Sequence, residues 1–253
     1  MKLHEQTVLV TGASRGVGEE LVRAFVQEGA NVIINYYKSQ EKAQALANEL
    51  GDKAIALKAD IRNQQEVVQM VEAAKQHFKT PVTTVVNNAL IDFEFNPITQ
   101  KNAFELSWAD YQKQFEGTIQ GALNSIQACL QDMKELGFGR IVNIGTNLFQ
   151  NPVVAYHEYT TAKAALVGFT RNMAKELGTY GITVNMMSGG LLQQTDASKV
   201  TTAEVFQIIE STTPLQKVTT PKELADVALF FASPWGRAIT GQNLVVDGGL
   251  VMD

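Results

Sequence analysis

The chain holds a single cysteine, Cys129. No intrachain disulfide can form, and thiols are too few for a zinc site. Cys129 sits in an apolar helical stretch, where a buried inert thiol is the expected outcome. Histidines number three and are scattered, so no metal set is expected. Long apolar runs are missing too. The stretch at 227–232 falls far short of the ~18 residues a membrane span needs. Glu5 and Gln6 interrupt any apolar leader. With so few thiols, a cytoplasmic location is the expectation. Excess positive charge is absent: Lys plus Arg is 21 against Asp plus Glu 26, a net charge of −5. That leaves no electrostatic footprint for nucleic acid. The six prolines are dispersed, and neither a repeat nor a Gly/Ser linker marks a boundary. The expectation is one domain over 1–253, of ordinary globular composition.

What is present is an alternation of apolar runs with helical patterns. Expected strands lie at 7–10, 31–35, 54–57, 82–86, 140–144, 182–186 and 243–246. Helices are expected at 40–50, 110–136 and 222–232, and others are marked by Val17, Leu21 and Phe25, by Val67, Val68 and Val71, and by Leu166, Met173 and Leu177. Repeated β-α-β units predict an α/β fold: a doubly wound, seven-stranded, mostly parallel sheet with helices on both faces. Ligands in such sheets bind beyond the carboxyl ends of the strands, so residues just behind each strand carry the functional weight.

Behind the first strand stands Thr11-Gly12-Ala13-Ser14-Arg15-Gly16-Val17-Gly18. Glycines let backbone N–H groups approach a pyrophosphate, and the following helix N-terminus favours the anion. A plain glycine turn is the bland alternative. Behind the second strand, Asn35-Tyr36-Tyr37-Lys38-Ser39 contains no carboxylate to receive a ribose diol. Arg15 and Lys38 are placed to meet a 2′-phosphate, which favours NADP(H) over NAD(H). As surface cations they need no ligand. Tyr159 and Lys163 are four apart, one turn along a helix face. A lysine ammonium beside a tyrosine stabilises the phenolate and lowers a pKa that starts near 10. Such a phenol can protonate a carbonyl oxygen. A surface pair is the alternative.

Taken together, these motifs resemble the short-chain dehydrogenase/reductase family over essentially the whole chain, most of all its 3-oxoacyl-acyl-carrier-protein reductase branch. Asp60-Ile61, Asn87-Asn88-Ala89, Val184-Asn185, 239–242 and 246–249 carry the resemblance further. It implies that Gly12, Gly16 and Gly18 hold the pyrophosphate, with Ser14, Val17, Asp60, Ile61, Asn87, Ala89 and Gly190 also lining the cofactor. It implies Tyr159 as general acid–base and Lys163 as its partner on the nicotinamide ribose. The family's catalytic serine falls on Thr146, and its helix asparagine on Thr118. Leu90 and Ser188-Gly189 are further departures. Tyr156, Leu148, Leu191 and Thr195 are expected in the substrate pocket, and 191–215, with Asp196 and Phe206, as a substrate lid.

Three functions follow. The first is NADP(H)-dependent reduction of a ketone, such as a 3-oxoacyl thioester or other small carbonyl compound, through Tyr159. The second is enoyl-thioester reduction through Tyr156, seven residues before Lys163. The third is an NADP-binding sensor or scaffold with impaired catalysis. A homotetramer is expected from the resemblance, with a homodimer as the alternative. An acidic carrier protein would need a basic patch, for which Arg171, Lys175 and Lys199 are the candidates.

Overall fold

A computed structural model describes residues 1–253 apart from 97, 194, 196, 197, 199, 200 and 253. Asp196 and Lys199 therefore lie outside the described residues. The seven strands are β1 Thr7–Val10, β2 Asn31–Tyr36, β3 Ala54–Lys58, β4 Thr84–Asn87, β5 Gly139–Thr146, β6 Ile182–Gly189 and β7 Asn243–Val246. They form one sheet in the order β3-β2-β1-β4-β5-β6-β7, and every neighbouring pair is parallel. The order reverses direction between β1 and β4, which opens a crevice at their carboxyl ends.

Alternation along β1 shows how the layers form. Val8 and Val10 face one layer with Phe25 and Phe231, whereas Leu9 faces the other with Ile126 and Met133. The first layer is built by α1 Gly16–Gln27, α2 Gln40–Leu50 and α8 Pro221–Ala232, and the second by α3 Gln64–Phe78, α5 Gly121–Leu136 and α6 His157–Leu177. All but the edges of the sheet are buried on both sides, so the inner strands read as continuous apolar runs. β7 is an edge, and its Leu244 is exposed.

Three expectations shift. The fourth strand begins at Thr84 rather than 82, because Val82 and Thr83 lead into the ladder. Val68 is exposed on α3, so it is not part of that helix's buried stripe. The helix expected at 110–136 is divided into α4 Trp108–Phe115, a π-helical turn Glu116–Gln120, and α5. Ile91 presses against Gly117 there, and a Cβ at Gly117 would come within 2.8 Å of it. The widened turn accommodates that contact and carries Thr118 inward. Within the expected lid, α7 Ala203–Thr212 is helical. Among the described residues, no helix is long and apolar enough to cross a membrane.

Packing between α1 and α8 sets one stability prediction. Phe231→Ala is expected to cost about 3–5 kcal/mol, since the ring is fully enclosed. Thr220→Ala, which removes the α8 capping box with Glu223, is expected to cost about 1 kcal/mol. Urea unfolding at neutral pH checks both, and a smaller loss at Phe231 than at Thr220 would contradict this packing.

Candidate active site

The crevice between β1 and β4 is closed by polar ties. Thr11 Oγ1 accepts from the Asn88 and Ala89 amides at 3.0 and 3.1 Å. Asn88 Nδ2 donates to the carbonyls of Thr11 and Gly12. Asn35 Oδ1 accepts from the Gly12 amide at 3.1 Å, and its Nδ2 donates to the Ala59 carbonyl. Expected as a cofactor contact, Asn35 is thus buried and anchors the glycine loop. Tyr36 is likewise packed in the core. Both are buried because β2 runs on through Tyr36 and its successive residues point into the two opposite packed layers.

The loop itself fits a dinucleotide. Gly12 takes φ +61°, and a Cβ there would meet Ala89 Cα at 2.8 Å. Gly16 takes φ +56° with open space where its Cβ would stand, leaving backbone amides approachable. Gly18 packs directly on the Gly12 carbonyl, 2.6 Å from an ideal Cβ. Ser14 is buried in this loop and Val17 packs on the core below it. Arg15 precedes α1 and is exposed. At the far end of the crevice, Ser39 precedes α2, and Lys38 meets the Asp92 carboxylate at 3.3 Å. Arg62 chelates Asp60 and holds its carboxyl below the ordinary range. Ile61 is buried against Gly121.

Thr146, Tyr159 and Lys163 come together at the carboxyl end of β5. Tyr156 caps the N-terminus of α6, so Tyr159 and Lys163 occupy its first two turns. Lys163 Nζ donates to the Ile144 carbonyl at 2.6 Å and lies 5.9 Å from the Tyr159 ring centroid. The phenol hydrogen-bonds with Thr146, whose Oγ1 also accepts from the Leu148 amide at 3.3 Å. Burial dominates both titrations. It pushes Tyr159 up to about 12, with the Thr146 bond pulling the other way, and lowers Lys163 to about 8. The expected lowering of the tyrosine by the lysine is not what governs this arrangement, because the ammonium is spent on a main-chain carbonyl and desolvation prevails.

Thr118 is buried on the π turn and shares a hollow of about 10 Å³ with Thr11, Asn87 and Lys163. That is about the size of one water molecule. Asn87 Nδ2 donates to Asn143, while its Oδ1 is buried without a protein partner. Gly190 lies between Asn147 and Asp247, which are themselves bonded at 2.8 Å. Leu148 and Leu191 are half-buried behind β5 and β6. Thr195 is turned onto Ser198, with its amide donating at 2.9 Å. Arg171 and Lys175 are exposed about three turns or more down α6 from Tyr159, far from the site end. Cys129 is buried, and burial pushes its thiol up. Among the described residues, no cluster suits a metal ion.

Phe93 and Phe95 had not been singled out. Phe93 stacks on Tyr159 with centroids 4.9 Å apart and planes 24° apart. Phe95 meets Tyr159 edge-on at 5.1 Å, and both phenylalanines meet Tyr156 edge-on. Tyr159 is only 7% exposed as a result. A Phe-x-Phe directly behind the fourth strand was the available signal.

A parallel sheet with a glycine loop behind β1 and a Tyr–Lys pair behind β5 is the layout of a nicotinamide-dependent oxidoreductase. The family described as Enoyl-(Acyl carrier protein) reductase matches residues 12–251. A 3-oxoacyl-acyl-carrier-protein reductase of Synechocystis is 33% identical over 256 residues, covering 99% of this chain and 98% of that protein. Its counterpart in Vibrio cholerae is 31% identical over 100% of both chains. Among solved structures, a blue fluorescent protein from a metagenomic library, in complex with NADPH, gives a TM-score of 0.87 at 32% identity and covers 100% of both chains. A 3-ketoacyl-(acyl-carrier-protein) reductase from Brucella melitensis, complexed with NADH, gives 0.87 at 28% identity, covering 99% of this chain and 100% of that one. The chain belongs to the short-chain dehydrogenase/reductase family.

The buried lysine has a pH signature. Its folded pKa of about 8 lies below the ordinary 10.5, so unfolding takes up a proton between those values. The burial penalty is fully present below about pH 8 and fades towards pH 10.5. Relative to wild type, Lys163→Met is therefore expected to be most favourable near neutral pH, with the advantage shrinking as pH rises. Urea titrations across that range check it, and a pH-independent difference would contradict it.

Proposed function

We propose that the protein reduces a ketone to an alcohol with NADP(H), with Tyr159 as the general acid. The observation that carries this reading is the convergence of Thr146, Tyr159 and Lys163 at the end of β5, in line with the glycine loop. NADPH, when bound, supplies the hydride that reaches the carbonyl carbon. Every other step belongs to side chains of this chain. Thr146 Oγ1 donates to the substrate oxygen and orients it. Tyr159 Oη delivers the proton to that oxygen. Lys163, one turn along α6 from Tyr159, would hold the cofactor ribose and stabilise the phenolate left behind.

Gly12, Ser14, Gly16, Val17 and Gly18 would receive the pyrophosphate, and Asp60, Ile61, Asn87, Ala89 and Gly190 the rest of the cofactor. Lys38, Arg15 and Ser39 would receive the 2′-phosphate that distinguishes NADP(H). Arg62 stands beside them as a further cation. Thr118 would complete the site through its hydroxyl at the hollow beside Lys163. Leu148, Tyr156, Leu191 and Thr195 would line the substrate, under a lid spanning 191–215. One domain, working as a homotetramer in the cytoplasm, is part of the same proposal, and light scattering tests its assembly.

Enoyl reduction through Tyr156 is the second reading. It is favoured by the position of Tyr156, buried in the same aromatic cluster as Tyr159. The ketone reading ranks higher because the Thr146 hydrogen bond goes to Tyr159.

Assays of acetoacetyl and crotonyl thioesters with NADPH and NADH discriminate the readings. Tyr159→Phe is expected to lower ketone turnover by about 10²–10⁴ while NADPH affinity, read by fluorescence titration, is nearly unchanged. Tyr156→Phe is expected to keep most ketone turnover. Full turnover in Tyr159→Phe, or loss confined to crotonyl reduction in Tyr156→Phe, reverses the assignment. NADPH binding without turnover of any carbonyl compound would instead favour a sensor or scaffold.

A further inference from the structure

We infer that the substrate of this site carries a planar apolar ring beside its carbonyl group, and that Phe93 holds that ring's seat. The inference rests on Tyr159 being the acid of a ketone reductase and names the class of ketone.

A substrate carbonyl oxygen must come within hydrogen-bond reach of both Tyr159 and Thr146. The phenol is enclosed, and what encloses it is aromatic: Phe93 lies against the ring face, and Phe95 lies edge-on. Tyr156 closes the far side, edge-on to both phenylalanines at 5.3 and 5.6 Å. One of these rings must yield before any ketone can approach. Tyr156 and Tyr159 are fixed at the head of α6. Phe93 and Phe95 are half-buried on irregular chain between β4 and α4.

That chain is anchored at Ile91, whose carbonyl accepts from Gln114 Nε2 at 3.0 Å, and is irregular beyond it. Asp92, just before Phe93, sits in the left-handed region at φ 45°, unusual for a residue with a side chain. Its carboxylate is tied only to surface cations, Lys38 at 3.3 Å and Arg62 at 4.0 Å. Exposed pairs of this kind contribute little. Of the two phenylalanines, Phe93 covers the Tyr159 ring face, so it is the ring whose place a planar substrate would take.

Its departure leaves a slot walled by aromatic faces and edges. A planar apolar group recovers the stacked and edge-to-face contacts that Phe93 gave up, whereas a flexible alkyl chain recovers only area. Phe93 thus acts as an internal stand-in for the substrate's ring.

Calorimetric titration of the NADP⁺-loaded protein with acetophenone and with straight-chain octanone, matched in heavy atoms, tests this. Acetophenone is expected to bind about tenfold more tightly than octanone. Phe93→Ala removes the competing ring and is expected to tighten acetophenone by about threefold or more. Phe93→Leu, closer in volume, is expected to do so less and serves if the alanine variant fails to fold. Tyr156→Leu removes a wall and is expected to bring the two ketones within about twofold of each other. Equal binding of the two ketones by the wild-type protein overturns the inference, as does acetophenone affinity that does not rise when Phe93 is truncated. Reduction assays on the same samples separate the two readings. Acetophenone bound with preference but never reduced defeats the ketone-reductase reading and leaves the planar seat standing. Ketones reduced without preference for the ring defeat the seat and leave the reductase standing.

Discussion

The arrangement of this site depends on a buried ammonium. Lys163 is 4% exposed, and a charge removed from water needs acceptors within reach. Its acceptor is the Ile144 carbonyl at 2.6 Å, near the carboxyl end of β5. α6 is seated against the sheet by Leu166, Ala174 and Leu177, and the bond forms in that register. A slip of one residue would turn the helix about 100° and carry the ammonium off its acceptor. With the register held, Tyr159 falls one turn earlier, within hydrogen-bond reach of Thr146. Thr118 and Lys163 then line the same small hollow, with Ile61 and Leu166 among its walls. The π turn that brings Thr118 there is itself shaped by Ile91, from the segment that carries Phe93.

A second set of bonds holds the cofactor end. Thr11, Asn35 and Asn88 spend their polar atoms on neighbouring backbone at the ends of β1, β3 and β4. They shape the crevice, and Asn35 takes up the amides of Gly12 and Ala13 at the root of the glycine loop. The division of labour is physical. Buried polar side chains are satisfied by protein here, so a ligand at this end would meet mainly backbone beyond Ala13.

The fold was legible in the sequence because its signal is periodic. Apolar runs alternating with helical stripes give a parallel sheet almost directly, and the glycine turn and the Tyr–Lys spacing fall at strand ends where ligands bind. The inward turn of Asn35 and Tyr36 was not legible, because a residue at the last turn of a strand faces sheet or solvent according to where the strand stops. Nor was the π turn at Thr118, where Gly117 packs on Ile91 across a sequence separation that no local pattern records. Phe93 and Phe95 escaped for a related reason. An aromatic residue in irregular chain has no period, and its meaning comes only from the ring it touches.

That contact bears on the chemistry through solvation. With Phe93 in place, burial favours the uncharged form of each partner, a phenol well above its usual range and a lysine below its own. Such a pair is poorly matched to proton transfer near neutral pH. A ligand that hydrogen-bonds the phenol would oppose that desolvation and make the phenolate easier to form. Phe93 covers the ring face of Tyr159, so it shares in the burial that raises the phenol.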